Sequence, residues 1–187
     1  RLASDSREFV RLAVYDGHAL VWIAHAQGAV GNVGLVYQPA DTSGSVPLHA
    51  TASGKAWLAS LTQEQAVQYV LREGGFERAE RFGPKVVRTV EALLADLKST
   101  RMRGYGLAVE EAEPGVTAIG AAIRGAAAGP GVGTVSVAGP SVRMTASRID
   151  ELAPLVMACA ENLSELWPLR LKRPGSQAAG SLPRAVD

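Results

Sequence analysis

Residues 7–26 run Arg7-Glu8-Phe9-Val10-Arg11-Leu12-Ala13-Val14-Tyr15-Asp16-Gly17-His18-Ala19-Leu20-Val21-Trp22-Ile23-Ala24-His25-Ala26. From Arg7 to Tyr15, Phe9, Arg11, Ala13 and Tyr15 alternate with Val10, Leu12 and Val14. That period of two, rich in β-branched residues, predicts a strand. Asp16-Gly17 predicts a type I′ hairpin turn, because both residues tolerate positive φ. Ala19 to Ala26 then returns as a second strand. Ala29 to Tyr37 predicts a third, weakened by Gly31 and Gly34.

Outward from this meander the pattern changes. Gln38 to Val46 is a polar loop. Pro47 to Ser60 turns helical, with Ala50, Ala52, Ala56, Leu58 and Ala59 favouring that state. Thr62 and Gln65 form a capping box that opens a second helix, stopped at Gly74-Gly75. Val86 to Arg103 predicts a long helix, with Val86, Val90, Leu93, Leu94 and Leu97 on one stripe and Gly104 as its C-terminal cap. Strands follow at Tyr105 to Glu110, Val116 to Arg124 and Val132 to Ala138, with a hairpin connection at 125–130. A last helix begins at Ser147 and should kink at Pro154. Short connections make the strands mostly antiparallel. The fold class is α+β, one antiparallel sheet of about six strands flanked by helices.

At 187 residues the chain is long enough for one core and needs no disulfide or metal staple. Its 19 Lys+Arg against 18 Asp+Glu argue against a surface built to grip nucleic acid. A single cysteine, Cys159, excludes an internal disulfide framework and a cysteine-based zinc cluster. It falls on the apolar stripe of the last helix and reads as core. No apolar run reaches the roughly 18 residues of a membrane span. From Arg173 the composition is that of a flexible tail.

Several catalytic signatures fail. Gly54-Lys55 resembles the end of a phosphate loop, but His49 and Ala56 stand where Gly and Ser/Thr are required. Gly129 to Gly133 lacks the third glycine of a dinucleotide fingerprint, and no nucleophile elbow exists. His18, His25 and His49 lack zinc spacing. His49 either packs beside the first helix or acts with Ser53 as a catalytic pair, which would need an acidic orienter. The small residues from Ala50 to Gly54 at that helix start admit two readings. They let a carboxylate or phosphate approach free N–H groups, or they allow tight helix–sheet packing.

Pro47-Leu48-His49-Ala50-Thr51-Ala52-Ser53-Gly54-Lys55-Ala56, with Leu58-Ala59, resembles the "PLHATALGKALLA" segment of IclR-family transcriptional regulators. Arg101-Met102-Arg103-Gly104-Tyr105-Gly106 resembles the family's "VRxxGYA" stretch. Glu110 to Val116 is similar to its "D-x-E-E-x-x-x-G-V". Ile119 to Ile123 stands where the family has "IAAPV", and Ser136 to Pro140 resembles "SVSGP". The resemblance extends over residues 7–167.

The resemblance implies a GAF-like effector-binding domain at residues 7–167. Residues 1–6 would be the end of an interdomain linker helix, and 168–187 a flexible tail. In the family such a domain follows a winged helix-turn-helix that contacts promoter DNA, a half absent from this sequence. The implied partners are a small organic acid effector and further copies of the chain, as a homodimer or homotetramer in the cytoplasm. No cofactor, metal, membrane or catalysis is implied. The implied ligand-binding residues are Leu35, Ala52, Ser53, Leu107, Glu113, Ala122 and Ser136. Ala122 departs from the usual Pro or Cys, and Ala138 from a Ser that can reach the ligand. Ala138 removes a hydrogen bond to a charged group, about 1.5–3 kcal/mol, which favours a larger or more apolar acid such as an aromatic one. A hydrolase using His49 and Ser53, or a ligand-free dimerisation module, are the alternatives.

Overall fold

A computed structural model describes residues 1–29, 35–39, 44–77, 79–125 and 129–170. Helix α1 (Leu2–Ser6) ends at Arg7, whose φ of 55° turns the chain into β1 (Phe9–Tyr15). β2 (Leu20–Gln27) pairs antiparallel with it, with a bulge between Leu12 and Ala13. The connection is longer than the expected two-residue turn. The Asp16 carboxylate accepts the N–H groups of His18 (2.8 Å) and Ala19 (2.9 Å), and Asp16 N–H donates to Ala19 (3.1 Å). A side chain that closes its own backbone turn in this way replaces the tight hairpin.

The other strands are β3 (Gly106–Val109), β4 (Val116–Ile123) and β5 (Gly133–Pro140). All neighbours in the order β2-β1-β5-β4-β3 are antiparallel. Among the described residues five strands stand, close to the six or so expected. The expected third strand falls largely on 30–34, outside the described residues, and 35–39 are not strand. Much of the 125–130 connection and everything past 170 also lie outside them.

Strand alternation sends the two faces of the sheet into different cores. Ala13, Tyr15 and Trp22 pack with α2 (Ala52–Leu58), α3 (Gln63–Arg72) and α4 (Val90–Arg103). Val10, Leu12, Ile119, Val135 and Val137 pack with α5 (Ala146–Arg170). α2 lies almost in backbone contact with the sheet. A Cβ on Gly106 would stand 2.2 Å from the Ala52 carbonyl oxygen, and one on Gly120 3.1 Å from Ser53 N.

Helix boundaries follow their caps. α2 starts at Ala52, not Pro47, because the Thr51 hydroxyl caps Gly54 N–H (3.0 Å). Thr62 and Gln65 close the expected capping box on α3. Thr62→Ala is expected to lower stability by about 1 kcal/mol, read as a lower urea midpoint at unchanged slope. α4 starts at Val90, four residues later than its apolar stripe suggests. Val86 is instead buried with Ala50 and Ala79, and the Thr89 hydroxyl takes Ala92 N–H (3.2 Å). Gly104, at φ 85°, caps α4 as expected. The hydroxyl at the start of α5 belongs to Thr145, which accepts Arg148 N–H (3.3 Å). α5 runs unbroken through Pro154 to Arg170.

Candidate functional site

Between the start of α2, the sheet face beneath it and the surrounding loops lies a cavity of about 330 Å³. That volume suits a small organic ligand. Small residues of the sheet (Ala108, Ala118, Ser136 and Ala138) leave the room, and Arg11 and Trp22 project from β1 and β2. Thr51, Ala52 and Ser53 supply the α2 side. Tyr37, Pro39, Phe82 and Glu113 from loops, and Arg81 at the end of a short 3-10 helix (Ala79–Arg81), add to the wall.

Ser53 is buried, and its hydroxyl has no hydrogen-bond partner among the described residues. A buried unsatisfied hydroxyl is unfavourable unless something comes to meet it. Beside it the N–H groups of Ala52 and Ser53 precede the first i→i−4 bond of the helix. The Thr51 hydroxyl is already committed, donating to Pro47 (2.8 Å) and accepting Gly54 N–H.

Among the described residues that line the cavity, Arg11, Arg81 and Glu113 are charged. The Arg11 guanidinium lies 4.6 Å from the Trp22 ring centroid and 5.4 Å from that of Phe9. Such stacking fixes a cation's orientation. Tyr37 OH donates to Glu113 Oε1 (2.8 Å). Burial, and then the Glu113 carboxylate, raise the Tyr37 phenol above its ordinary range, so it remains a donor.

One turn into α2, Lys55 is fully buried and pairs with both Asp96 and Glu111. Its ammonium also donates to the Leu107 carbonyl (3.3 Å). Arg103 adds a contact to Asp96 (3.4 Å). Burial raises the Glu111 carboxyl, with Lys55 opposing. Glu111 precedes Ala112 and Glu113 of the cavity wall, so this cluster ties that wall to α2 and α4.

His49 does not complete a catalytic pair. Its ring sits edge-on to Phe76 (5.4 Å) and Phe82 (5.1 Å), and neither nitrogen has a hydrogen-bond partner among the described residues. Since Ser53 Oγ also has none, the nucleophile–base hydrogen bond is missing. Burial, helped by the Lys55 charge, lowers the His49 pKa and keeps the ring neutral. Among the described residues no group of His, Cys, Asp and Glu is placed to hold a metal ion. No described helix is long and apolar enough to cross a membrane.

Of the residues expected to meet a ligand, Ala52, Ser53, Glu113 and Ser136 come together around the cavity. Leu107 pairs with Ile119 and packs on the opposite face, toward α5. Its neighbour Ala108 lines the cavity instead, a one-residue difference that reverses a strand side chain. Ala122 is on the cavity's face of β4 but two residues past Gly120, where α2 already covers the strand. Leu35 is exposed, and its carbonyl accepts from Arg143. Sequence reasoning missed Arg11, Trp22, Tyr37, Arg81 and Phe82. Arg11 had a signal, because it shares a strand face with the apolar Phe9 and Ala13.

The comparisons agree with this architecture. The chain is 33% identical over 170 residues to the HTH-type transcriptional repressor AllR of Salmonella paratyphi A. That match takes in 91% of this chain but only 59% of the repressor's length. The crystal structure of the Thermotoga maritima IclR superposes with a TM-score of 0.73 at 26% identity, over 88% of this chain and 63% of that one. A PobR inducer-binding domain from Acinetobacter, a double mutant in complex with 3-hydroxybenzoic acid, gives 0.71 at 24% identity, over 88% and 92%. The family described as bacterial transcriptional regulator IclR C-terminal matches residues 1–165. The chain therefore belongs to the IclR family and comprises its C-terminal, effector-binding domain.

Proposed function

We propose that this domain binds a small organic acid in the cavity beneath α2 and transmits its occupancy to a DNA-binding region of the parent regulator. The observation that carries the reading is the buried Ser53 hydroxyl, without a partner among the described residues, in a cavity of about 330 Å³ that Arg11 also lines. A carboxylate there meets a donor that lacks a partner and a cation held in place by stacking. Trp22, Tyr37 and Phe82 suit an aromatic acid. The 3-hydroxybenzoic acid held by the PobR domain is consistent with that class.

Binding shifts an equilibrium between arrangements of a homodimer or homotetramer in the cytoplasm. Operator affinity then changes only as far as the ligand discriminates between those arrangements. Val14 on β1 is half-buried, and Ile23 on the edge strand is exposed. They offer a surface for self-association, which sedimentation of the isolated domain would detect. No turnover accompanies binding.

A thermal-shift series with benzoate, hydroxybenzoates and short keto acids tests the reading. At 100 times Kd a ligand adds about 2.7 kcal/mol, about 5–10 °C in Tm for a domain of this size. Ser53→Ala separates function from packing. It removes a hydroxyl that nothing satisfies, so stability is expected to hold or rise, while affinity falls about tenfold. A flat series, or shifts that survive Ser53→Ala unchanged, overturns the placement of the site.

A further inference from the structure

We infer that Arg143 is a positioning residue that couples one wall of the cavity to helix α1. The coupling belongs to the chain itself and does not depend on what the cavity holds. Arg143 lies in the turn between β5 and α5. Its guanidinium meets two separate parts of the chain. Nε and Nη2 donate to Glu8 Oε1 (2.7 Å) and Oε2 (2.8 Å), and Nη1 donates to the Leu35 carbonyl. A bidentate pair of this kind is strong and directional. The guanidinium is planar and rigid, so two bonds to Glu8 also fix where the third donor points.

Each end of this bridge matters. Tyr37 and Pro39, two and four residues beyond Leu35, line the cavity, and Tyr37 OH donates to Glu113 (2.8 Å) on its wall. At the other end the Glu8 carboxylate is buried. Gly139 leaves room for it, since a Cβ there would stand 2.5 Å from Glu8 Oε2. Glu8 N–H donates to Ser6 Oγ (3.3 Å), and Arg148 donates to the Ser6 carbonyl (2.9 Å) at the end of α1. α1 has five residues, and no side-chain hydrogen bond caps its start among the described residues. So short a helix does not hold itself in water. Its helical state therefore rests on the contacts made at this corner. Tyr37 also lies edge-on to Phe9 (ring centroids 5.9 Å apart), and its carbonyl accepts from Gln27 (3.0 Å). Those contacts reach the strands, whereas Arg143 reaches the Glu8 carboxylate. Loosening the 35–39 segment frees one arm of Arg143, and the buried Glu8 loses a partner fixed in direction.

A double-mutant cycle read by amide hydrogen exchange on the 187-residue chain tests this. Tyr37→Phe cuts the bond to Glu113 and keeps the ring on Phe9. Arg143→Lys keeps the charge beside Glu8, but one ammonium cannot reproduce the fork that spans Glu8 and Leu35. In the wild-type background Tyr37→Phe should speed exchange of the Arg7 and Glu8 amides about threefold, with the β4 amides unchanged. In the Arg143→Lys background those two amides already exchange faster, and Tyr37→Phe should add nothing. Glu8→Gln, which keeps the shape of the pair without its charge, should blunt the response in the same way and serves if Arg143→Lys does not fold. Equal acceleration by Tyr37→Phe with and without the Arg143–Glu8 pair overturns the inference, as does no acceleration in the wild-type background. Acceleration of the β4 amides in step with Arg7 and Glu8 also overturns it, because the effect is then a general loss of stability.

Discussion

Lys55→Met is expected to remove about 3–5 kcal/mol of folding stability, enough to leave much of the chain unfolded under mild conditions. The substitution keeps the apolar stem but deletes the ammonium that Asp96 and Glu111 share. Two carboxylates then face each other with little solvent, since the Glu111 side chain is only 11% exposed and that of Asp96 20%. Arg103 contacts Asp96, and among the described ion pairs it makes none with Glu111. Burial already raises the Glu111 carboxyl, and Lys55 pulls it back. Without Lys55 it rises further. A raised carboxyl means that the folded state holds its proton more tightly than the unfolded state. The deficit should therefore be full at neutral pH and shrink as pH falls through the carboxylate range. Urea unfolding at pH 7 and pH 5 measures both. A deficit below about 1 kcal/mol at pH 7 would show that the cluster is no more than a surface pair.

Gly54→Ala is expected to destabilise by about 2 kcal/mol or more, against the trend of the helix it occupies. Glycine inside a helix is about 1 kcal/mol worse than alanine, so propensity alone predicts a gain. The structure reverses the sign. A Cβ at Gly54 would stand 2.3 Å from the Leu48 carbonyl oxygen and 2.4 Å from its Cα. These are backbone atoms of a buried residue, and no rotamer can move them aside. α2 would have to shift outward, carrying Ser53 away from Ser136. Calorimetric melting together with acid titration reads both effects. A variant melting at or above the wild-type temperature would mean that the chain before α2 yields freely.

The same stretch shows how far the sequence could be read. Small residues from Ala50 to Gly54 admitted tight packing or ligand approach, and the structure divides them between the two roles. Ala52 and Gly54 make the close approaches to the sheet and to Leu48, while the Ser53 hydroxyl is left for the cavity. The alternation from Phe9 to Tyr15 was legible because the two faces of β1 meet different surroundings, so Arg11 recurs with Ala13 and Tyr15 while Val10 and Leu12 pack toward α5. Helix starts were less so, because a cap is set by where a Thr hydroxyl finds an N–H. The apolar stripe carried Val86 into a helix it does not join. The Leu107 and Ala108 pair shows a further limit. In a four-residue strand of apolar residues, composition does not say which side faces which core. Arg81 and Glu113 reach the cavity from separate segments of the chain, and only tertiary structure brings both to its wall. Lys55 was weighed only as part of a failed phosphate loop, because nothing local marks a lysine whose partners lie 41 and 56 positions away.

The placement of β1 between β2 and β5 has a consequence for how the chain is born. Phe9 pairs with Ala138, and Val14 with Gly133, so the first strand waits for one of the last. A two-stranded hairpin is marginal alone, and pairing across so long an intervening segment is slow. On the ribosome the β1–β2 hairpin would emerge early with one side unpaired until β5 appears. Synthesis interrupted before residue 133 would leave that side available to other chains. Truncated nascent chains are therefore expected to engage chaperones more strongly than the finished domain.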